Sequence, residues 1–325
     1  MPARVVLFGD GRWAADTLVR LAADCHEVAA VVARANPSDG TLAAAAARLA
    51  IPVLRPARVN AASSVAAIAA LAPDLILSVA YDQILRPPVL ALPSLGCLNV
   101  HAGKLPRYRG RNVVNWAIIN GETEIGVTVH HMDEGIDTGD IVLQRTLPIG
   151  WTDDYATVLA RVVEAVPEIA ARAVADVVGG RGGRQPQDHA LGTYFGGRGP
   201  GDEWLDWGAS SRDLHNKVRA ITRPGPGART LVDDRPVVVW RAHWEPTWPS
   251  YLATPGQVVG RHPEGVLVKT GDSTLLLREV QQGDGPPAVP GWPVGTRLGV
   301  DVAATLAALL GRLETLEARQ GEEVQ

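Results

Sequence analysis

Near its start the chain reads RVVLFGDG, an apolar run that closes on glycines, which is the pattern of a buried strand; RWAADTLVRLAAD behind it reads as a helix. A second apolar run, EVAAVVARA, stops before the turn signal NPSDG. TLAAAAARLA is helical by composition, and SSVAAIAALAP predicts a further helix with Ser63 or Ser64 as its cap. DLILSVAY and CLNVHA read as strands. Strands that are apolar along their whole length and alternate with helices predict an α/β fold, a mostly parallel sheet with helices on both faces. Ligands of such sheets sit outside the carboxyl ends of the strands. Asn99, His101 and the segment Tyr81–Leu85 all lie at such ends.

Past IGVTVHHMDEGIDTGDIVLQRTLPI, the stretch DDYATVLARVVEAVPEIAARAVADVV carries an amphipathic core-helix pattern and stops at GGRGGRQPQ, read as a flexible connector. These signals place one domain at residues 1–190, a second at 191–300 and a terminal helix at 301–325. In the second domain DLHNKVRAIT reads as a helix. The short runs ARTLVDD, RPVVVWRAHW, GQVVGRH, GVLVKT and STLLLREV, with Gly and Pro between them, predict a small open barrel. The final helix carries Leu306, Leu309, Leu313 and Leu316 at spacings of three and four. Two heptads are too few to establish a coiled-coil seam, so packing onto its own domain is expected. No internal repeat is visible.

A length of 325 residues agrees with two domains. Apolar content of 46% and charged content of 20% are those of an ordinary globular chain. The net charge of −4 lacks the basic surplus of a nucleic-acid binder, so no nucleic-acid partner is expected. Almost all positive charge is arginine, and Lys104, Lys217 and Lys269 are the only lysines. Cys25 and Cys97 are too few for a disulfide framework or a cysteine-rich metal site, which fits a reducing cytoplasm. No signal peptide or membrane-length apolar run is seen, so no membrane partner is expected.

GDGRWA, Gly9 to Ala14, matches the G-x-G-x-x-A dinucleotide fingerprint. The acidic residue that should close the second strand is replaced by Arg34, which an NADP reading could use for the extra phosphate, but a generic anion site or simple turn geometry is preferred over nicotinamide binding. His130 and His131 are adjacent on a strand and point to opposite faces, which speaks against a shared metal and for wall or packing roles. No metal is expected. Trp204, Trp207, Trp240, Trp244 and Trp248 read as packing residues. The stretch CLNVHAGKLPRYRGRNVVNW is more specific. Asn99 and His101 are two apart on a strand and share a face. Asp137 follows a strand and a turn later, flanked by Gly135 and Gly139, which let a loop take positive φ and approach closely. An amide, an imidazole and a carboxylate brought together suit acyl transfer: the amide donates to an oxyanion, the ring moves a proton, the acid orients and charges the ring. With no Ser or Cys nucleophile in the trio, direct transfer to an incoming nucleophile is favoured. A structural hydrogen-bond network is the alternative reading of the same trio.

LNVHAGKLPRYRGRNVVNWAIINGETEIGVTVHHMDEGIDTGDIVLQ resembles the signature of the N10-formyltetrahydrofolate-dependent formyltransferases. That family includes glycinamide ribonucleotide, methionyl-tRNA and amino-sugar N-formyltransferases. The resemblance implies a Rossmann-like catalytic domain followed by a small OB-like barrel. It also implies N10-formyltetrahydrofolate as co-substrate, and Asn99, His101 and Asp137 as the catalytic trio. Tyr81, Asp82, Gln83, Ile84 and Leu85 match the loop whose backbone binds the pterin ring. Met132, Asp133 and Gly135, within MDEGID, match the loop across that pocket.

For the acceptor, RGRNVVNW and the later LDW with LHNKVRA look like the nucleotide-sugar N-formyltransferases, and no lysine or arginine stands between Arg34 and Arg48, where the transfer-RNA enzymes carry a basic insertion. A nucleotide-linked aminosugar is therefore the expected acceptor. Lys104, Arg107, Arg109 and Arg111 are candidates for its diphosphate, Lys104 foremost. Gly9, Gly11 and Arg12 are candidates for a further phosphate contact, and Trp13, Asn115 and Trp116 for the acceptor pocket. Val113 and Val114 stand where some relatives have a proline. Hydroxyornithine and methionyl-tRNA remain alternative acceptors, formyltetrahydrofolate hydrolysis an alternative reaction, and a homodimer a possible assembly.

Overall fold

The computed structural model describes residues 3–24, 26–300, 305–307 and 309–314. The chain divides into two compact units, Met1–Gly199 and Pro200–Gln325. The first unit contains β1 (Arg4–Gly9), α1 (Gly11–Ala23), β2 (Glu27–Ala33), α2 (Thr41–Arg48), β3 (Val53–Leu54), α3 (Ala62–Ala69), β4 (Leu75–Val79), α4 (Pro87–Leu90) and β5 (Cys97–His101). It continues through β6 (Arg109–Gly110), α5 (Val113–Ile119), β7 (Glu124–His131), β8 (Ile141–Pro148), α6 (Tyr155–Val178) and β9 (Tyr194–Phe195).

Seven of these strands form one sheet in the order β3-β2-β1-β4-β5-β7-β8. It is parallel from β3 to β5; β7 then runs antiparallel to β5, and β8 antiparallel to β7. The parallel strands are the continuous apolar runs of the sequence, because helices cover them on both faces. Val6, Phe8, Val32, Ile76 and Cys97 meet residues from α3 and α4 in one apolar cluster. Helix α6 begins at a true cap: the Asp154 carboxylate accepts from the Thr157 N–H at 2.9 Å. Helix α3 departs from the sequence pattern. Its N-cap is Ala61, so Ser63 and Ser64 lie inside the helix; the Ser64 hydroxyl donates back to the Arg58 carbonyl at 2.9 Å.

The connector after α6 is also more ordered than glycine and arginine content suggests. Gln185 exchanges two backbone hydrogen bonds with Ile141, and Gln187 is buried. Farther on, β9 pairs with β6, so residues 194–195 lie against residues 109–110 of the same unit.

The second unit comprises α7 (Ser211–Ile221), β10 (Ala228–Val232), β11 (Arg235–His243), β12 (Val258–His262), β13 (Gly265–Lys269) and β14 (Thr274–Gln282). Its antiparallel sheet has the order β10-β11-β14-β13-β12. Backbone bridges from Arg297 to Gln257 and from Leu298 to Val232 tie the segment after β14 to both edge strands. That link makes the sheet an open barrel rather than a flat layer. The terminal-helix expectation falls partly outside the described residues, Leu316 included. Of those described, 305–307 and 309–314 are helical, and Leu306, Leu309 and Leu313 are more than half exposed, so they do not pack onto the unit as expected. Among the described residues no helix is long and apolar enough to cross a membrane.

Strand β5 is the keel of the first unit. Leu98 at its centre is fully buried and paired on both sides, with Leu77 and His131. Leu98→Ala should lower the unfolding free energy by about 2–5 kcal/mol. Urea denaturation checks this, and a loss below about 1 kcal/mol would contradict the packing described for β5.

Candidate active site

The pleat of β5 sends Asn99 and His101 to one face of the sheet. Antiparallel pairing with β7 then sets His130 directly opposite Asn99. The loop that leaves β7 turns back so that Asp137 reaches all three. Its Oδ1 lies 3.5 Å from Asn99 Nδ2 and 3.4 Å from His130 Nε2; its Oδ2 lies 3.6 Å from His101 Nδ1. Asn99 Nδ2 is also 3.3 Å from His130 Nε2. The Gly110 N–H donates to Asp137 Oδ2 at 2.8 Å.

The turn achieves this in a way the sequence did not suggest. Asp137 itself takes the left-handed conformation, φ +55°, while its neighbours Gly135 and Gly139 do not. An aspartate tolerates that region better than most residues, at a cost of about 1 kcal/mol. The glycines serve close approach instead: a Cβ on Gly135 would strike Thr138, and one on Gly139 the His131 carbonyl. At Gly110, φ +99°, a Cβ would strike the Phe195 carbonyl.

Two main-chain carbonyls fix the ring tautomers, because a carbonyl only accepts. His101 Nε2 is 2.5 Å from the Tyr108 carbonyl, so Nε2 carries the hydrogen and Nδ1 faces Asp137. His130 Nδ1 donates to the His131 carbonyl at 2.7 Å, which leaves Nε2 to accept from the Asn99 amide. Burial lowers the proton affinity of His101; Asp137 and the Tyr108 carbonyl pull the other way without prevailing, and His130 adds to the lowering. The ring is therefore neutral at pH 7. Burial also opposes ionisation of Asp137, but a charged His101, the hydrogen bond and charge of a protonated His130 and the Gly110 N–H outweigh it and hold the carboxyl at about 2. The contributions of His101 and His130 act only while those rings are protonated; the Gly110 hydrogen bond acts in either state. The result is a buried anion beside a neutral ring, poised to stabilise that ring when it gains a proton. Cys97, in the same strand, is pushed up to about 12 by burial and stays a thiol.

These groups open onto a cleft of about 800 Å³. Tyr81, Asp82, Gln83, Ile84 and Leu85 line one wall; Met132, Asp133, Gly135 and Ile136 line another. The first wall is stiff: Gln83 accepts from the Val59 N–H at 2.9 Å and donates to the Pro56 carbonyl at 3.1 Å. Burial raises the Tyr81 phenol to about 12. Trp13, Arg111 and Asn115 also line the cleft, with Asn112, Tyr155 and the Phe195–Gly197 backbone.

The remaining candidates lie elsewhere. Lys104 is turned away and forms an ion pair with Glu124. It shares a smaller hollow of about 290 Å³ with Arg107. Nearness to His101 in sequence misled here, because the chain bends at residues 103–106 and its side chains leave the face of β5. Arg109 is buried and bonded to Gln187 and Tyr194, so it is not free to meet a diphosphate. Gly9 packs against Ala14 and the Val79 carbonyl, and Arg12 is exposed and pairs with Asp16. The turn they form is approached by the protein's own Asp10, which accepts from the Ser38 N–H and lies 3.3 Å from Arg34. Arg34 also donates to the Ala80 carbonyl at 2.5 Å, which commits it against the role of a dinucleotide-phosphate ligand. His130 was read as wall or packing; it joins the cluster, and the alternation that sends His131 to the other face was the available signal. Among the described residues no group of side chains is arranged to hold a metal ion.

Comparison with known proteins agrees with this architecture. Residues 3–174 match the family described as formyl transferase, and residues 199–289 match the formyl transferase C-terminal domain. The chain is 35% identical over 286 residues to a methionyl-tRNA formyltransferase of Geobacter sulfurreducens, covering 86% of this chain and 89% of that one. It is equally similar to one from Citrifermentans bemidjiense, with coverage of 86% and 88%. Among solved structures, the N-formyltransferase of Helicobacter canadensis, in complex with folinic acid and dTDP-3-aminofucose, superposes with a TM-score of 0.67 at 17% identity over 85% of this chain and 99% of that one. HypX of Aquifex aeolicus superposes with a TM-score of 0.60 at 22% identity over 87% of this chain, which spans only 45% of HypX. At those identities the solved structures speak for the fold, while the matched domains and the 35% identity over nearly full length speak for descent. The chain belongs to the formyl transferase family.

Proposed function

We propose that this enzyme moves a formyl group from N10-formyltetrahydrofolate to a primary amine, with Asn99, His101 and Asp137 as the reacting cluster. The observation that carries the reading is the convergence of amide, ring and carboxylate at the floor of an 800 Å³ cleft. The cleft suits a folate. Ile84 and Ile136, each about half exposed, offer apolar faces to a flat ring, and the braced Tyr81–Leu85 backbone offers polar groups to its edge. Solved relatives support the donor: HypX has been solved with tetrahydrofolic acid, and the Helicobacter canadensis enzyme with folinic acid.

In this mechanism the amine nitrogen attacks the formyl carbon and a tetrahedral centre forms. Asn99 turns to that oxygen, as charge develops there, one of the two N–H groups it otherwise offers to His130 and Asp137. His101 Nδ1 takes the proton that the amine sheds, and Asp137 stabilises the resulting imidazolium. The ring returns that proton to the departing folate nitrogen as its bond to carbon breaks. The Tyr108 carbonyl, rather than Asp137, sets the resting tautomer. Holding both reactants in one cleft supplies proximity.

The relatives support the amino group of methionyl-tRNA as acceptor, against the expectation of no nucleic-acid partner. A specific observation favours the second reading, a nucleotide-linked aminosugar. Residues 200–300 carry as many acidic as basic side chains, and residues 35–47 carry no lysine or arginine. A polyanion needs a run of cations, whereas Arg111, which lines the cleft, suits a smaller anion.

Three arms decide the acceptor: charged initiator tRNA, a panel of aminosugar nucleotides, and hydroxyornithine, each with N10-formyltetrahydrofolate and read by mass spectrometry for one added formyl group. Formate release at the full rate without any amine would replace the transferase reading with a hydrolase. Asn99→Ala should lower kcat by roughly 10²–10³-fold; a variant at wild-type rate removes Asn99 from the oxyanion role. The rate should also fall on acidification. His101 must be neutral to take a proton, and its folded value lies below the ordinary 6.5. The acid limb of kcat/KM should therefore have its midpoint below about 6.5. A midpoint above that value would contradict a neutral resting ring.

A further inference from the structure

Gln187 reaches the back of the Asp137 turn from fifty residues away. It is 6% exposed. Its amide nitrogen donates to the carbonyls of Asp137 at 2.9 Å and Gly139 at 2.7 Å. Its amide oxygen accepts from Arg109 Nη2 at 2.6 Å and Nε at 3.3 Å. Those four bonds use both hydrogens and both lone pairs of the amide. Arg109, 1% exposed, also donates to the Tyr194 hydroxyl at 2.7 Å and lies 3.1 Å from His189 Nδ1. The next residue, Gly110, donates to the Asp137 carboxylate. One short strand thus grips the acid directly and, through Gln187, grips the main chain behind it. The backbone held there is the left-handed one at Asp137, a conformation that persists only where its surroundings enforce it.

We propose that Gln187, oriented by Arg109, is a positioning residue that fixes the Asp137 turn and thereby sets the separation of the Asp137 carboxylate from His101. The proposal deepens the formyl-transfer reading and rests on it for the effect on turnover. Its structural half stands apart, because His101 faces only Asp137, His130 and the Tyr108 carbonyl among the polar groups assigned to it. Of these, Asp137 is the one Gln187 holds. If the turn relaxes, the carboxylate withdraws and the ring loses the anion that favours its protonated form.

Two variants of the full chain test this. Gln187→Met removes all four hydrogen bonds at similar volume. It should lower kcat by on the order of 10–10²-fold with little change in KM, the scale expected of a misplacement near 1 Å. In the same protein the His101 ring, followed by NMR and assigned by its loss in His101→Gln, should titrate at lower pH than in the wild type, toward the limit set by Asp137→Asn. Gln187→Glu keeps an acceptor for Arg109 but cannot donate to the two carbonyls, and its turnover should also fall. An unchanged His101 titration in Gln187→Met, with only a lowered Tm, would reduce Gln187 to a structural brace and overturn the proposal. Wild-type turnover in Gln187→Glu would overturn it as well, and decides alone if Gln187→Met gives no cooperative melting. The titration needs no turnover, so a failure of the formyl-transfer reading shows as inactive wild-type protein and is distinguishable from a failure of this one.

Discussion

A carboxylate removed from water must be given donors or it takes up a proton, and much of the first unit is arranged around that requirement at Asp137. Its two oxygens accept from the Gly110 N–H and face the Asn99 amide, and two imidazole nitrogens lie beside them that become donors only on protonation. Each of those groups comes from a different place in the chain. Strand β5 supplies Asn99 and His101, β7 supplies His130, and the short β6 supplies Gly110. The antiparallel turn of the sheet at β7 is what lets them meet.

The same arrangement explains how the sheet can be almost wholly apolar yet carry reactive groups. The parallel strands β1, β2 and β4 are buried apart from Arg4, Glu27 and Ala29, and they contribute shape. Polar side chains appear where β5 and β7 emerge at the cleft, and each finds a partner there. His101 is held by a carbonyl on one side and an anion on the other, so its orientation does not depend on a bound reactant. That is preorganisation in the sense used for oxyanion sites, where the donors are in place before charge develops.

Much of this was legible in the sequence, for reasons that can be stated residue by residue. The two-residue period of a strand put Asn99 and His101 on one face, and the glycine-flanked Asp137 marked a loop able to approach them. The alternation of strands and helices gave the sheet. What escaped were features set by partners distant in the chain. His130 reads as a wall or packing residue because adjacent histidines face opposite ways; alternation separates it from His131, but its place opposite Asn99 depends on the register of β7 against β5, which no local pattern carries. Lys104 was overvalued because closeness along a chain stops implying closeness in space at the first turn. Gln187 sits in a stretch whose glycines and arginines read as a linker; only the pairing of Gln185 with Ile141 shows that it is clamped. Ser63 and Ser64 are good cap residues that the helix simply overran.

The main-chain carbonyl of Tyr108 occupies one edge of the His101 ring and leaves a single working nitrogen. Such a ring cannot relay hydrogen through itself from one side to the other, as a histidine with two open edges can. Whatever it receives at Nδ1 it must hand back from Nδ1. In the proposed transfer the incoming and outgoing nitrogens are then obliged to visit the same corner of the cleft in turn, and that course is set by a peptide group that touches neither one.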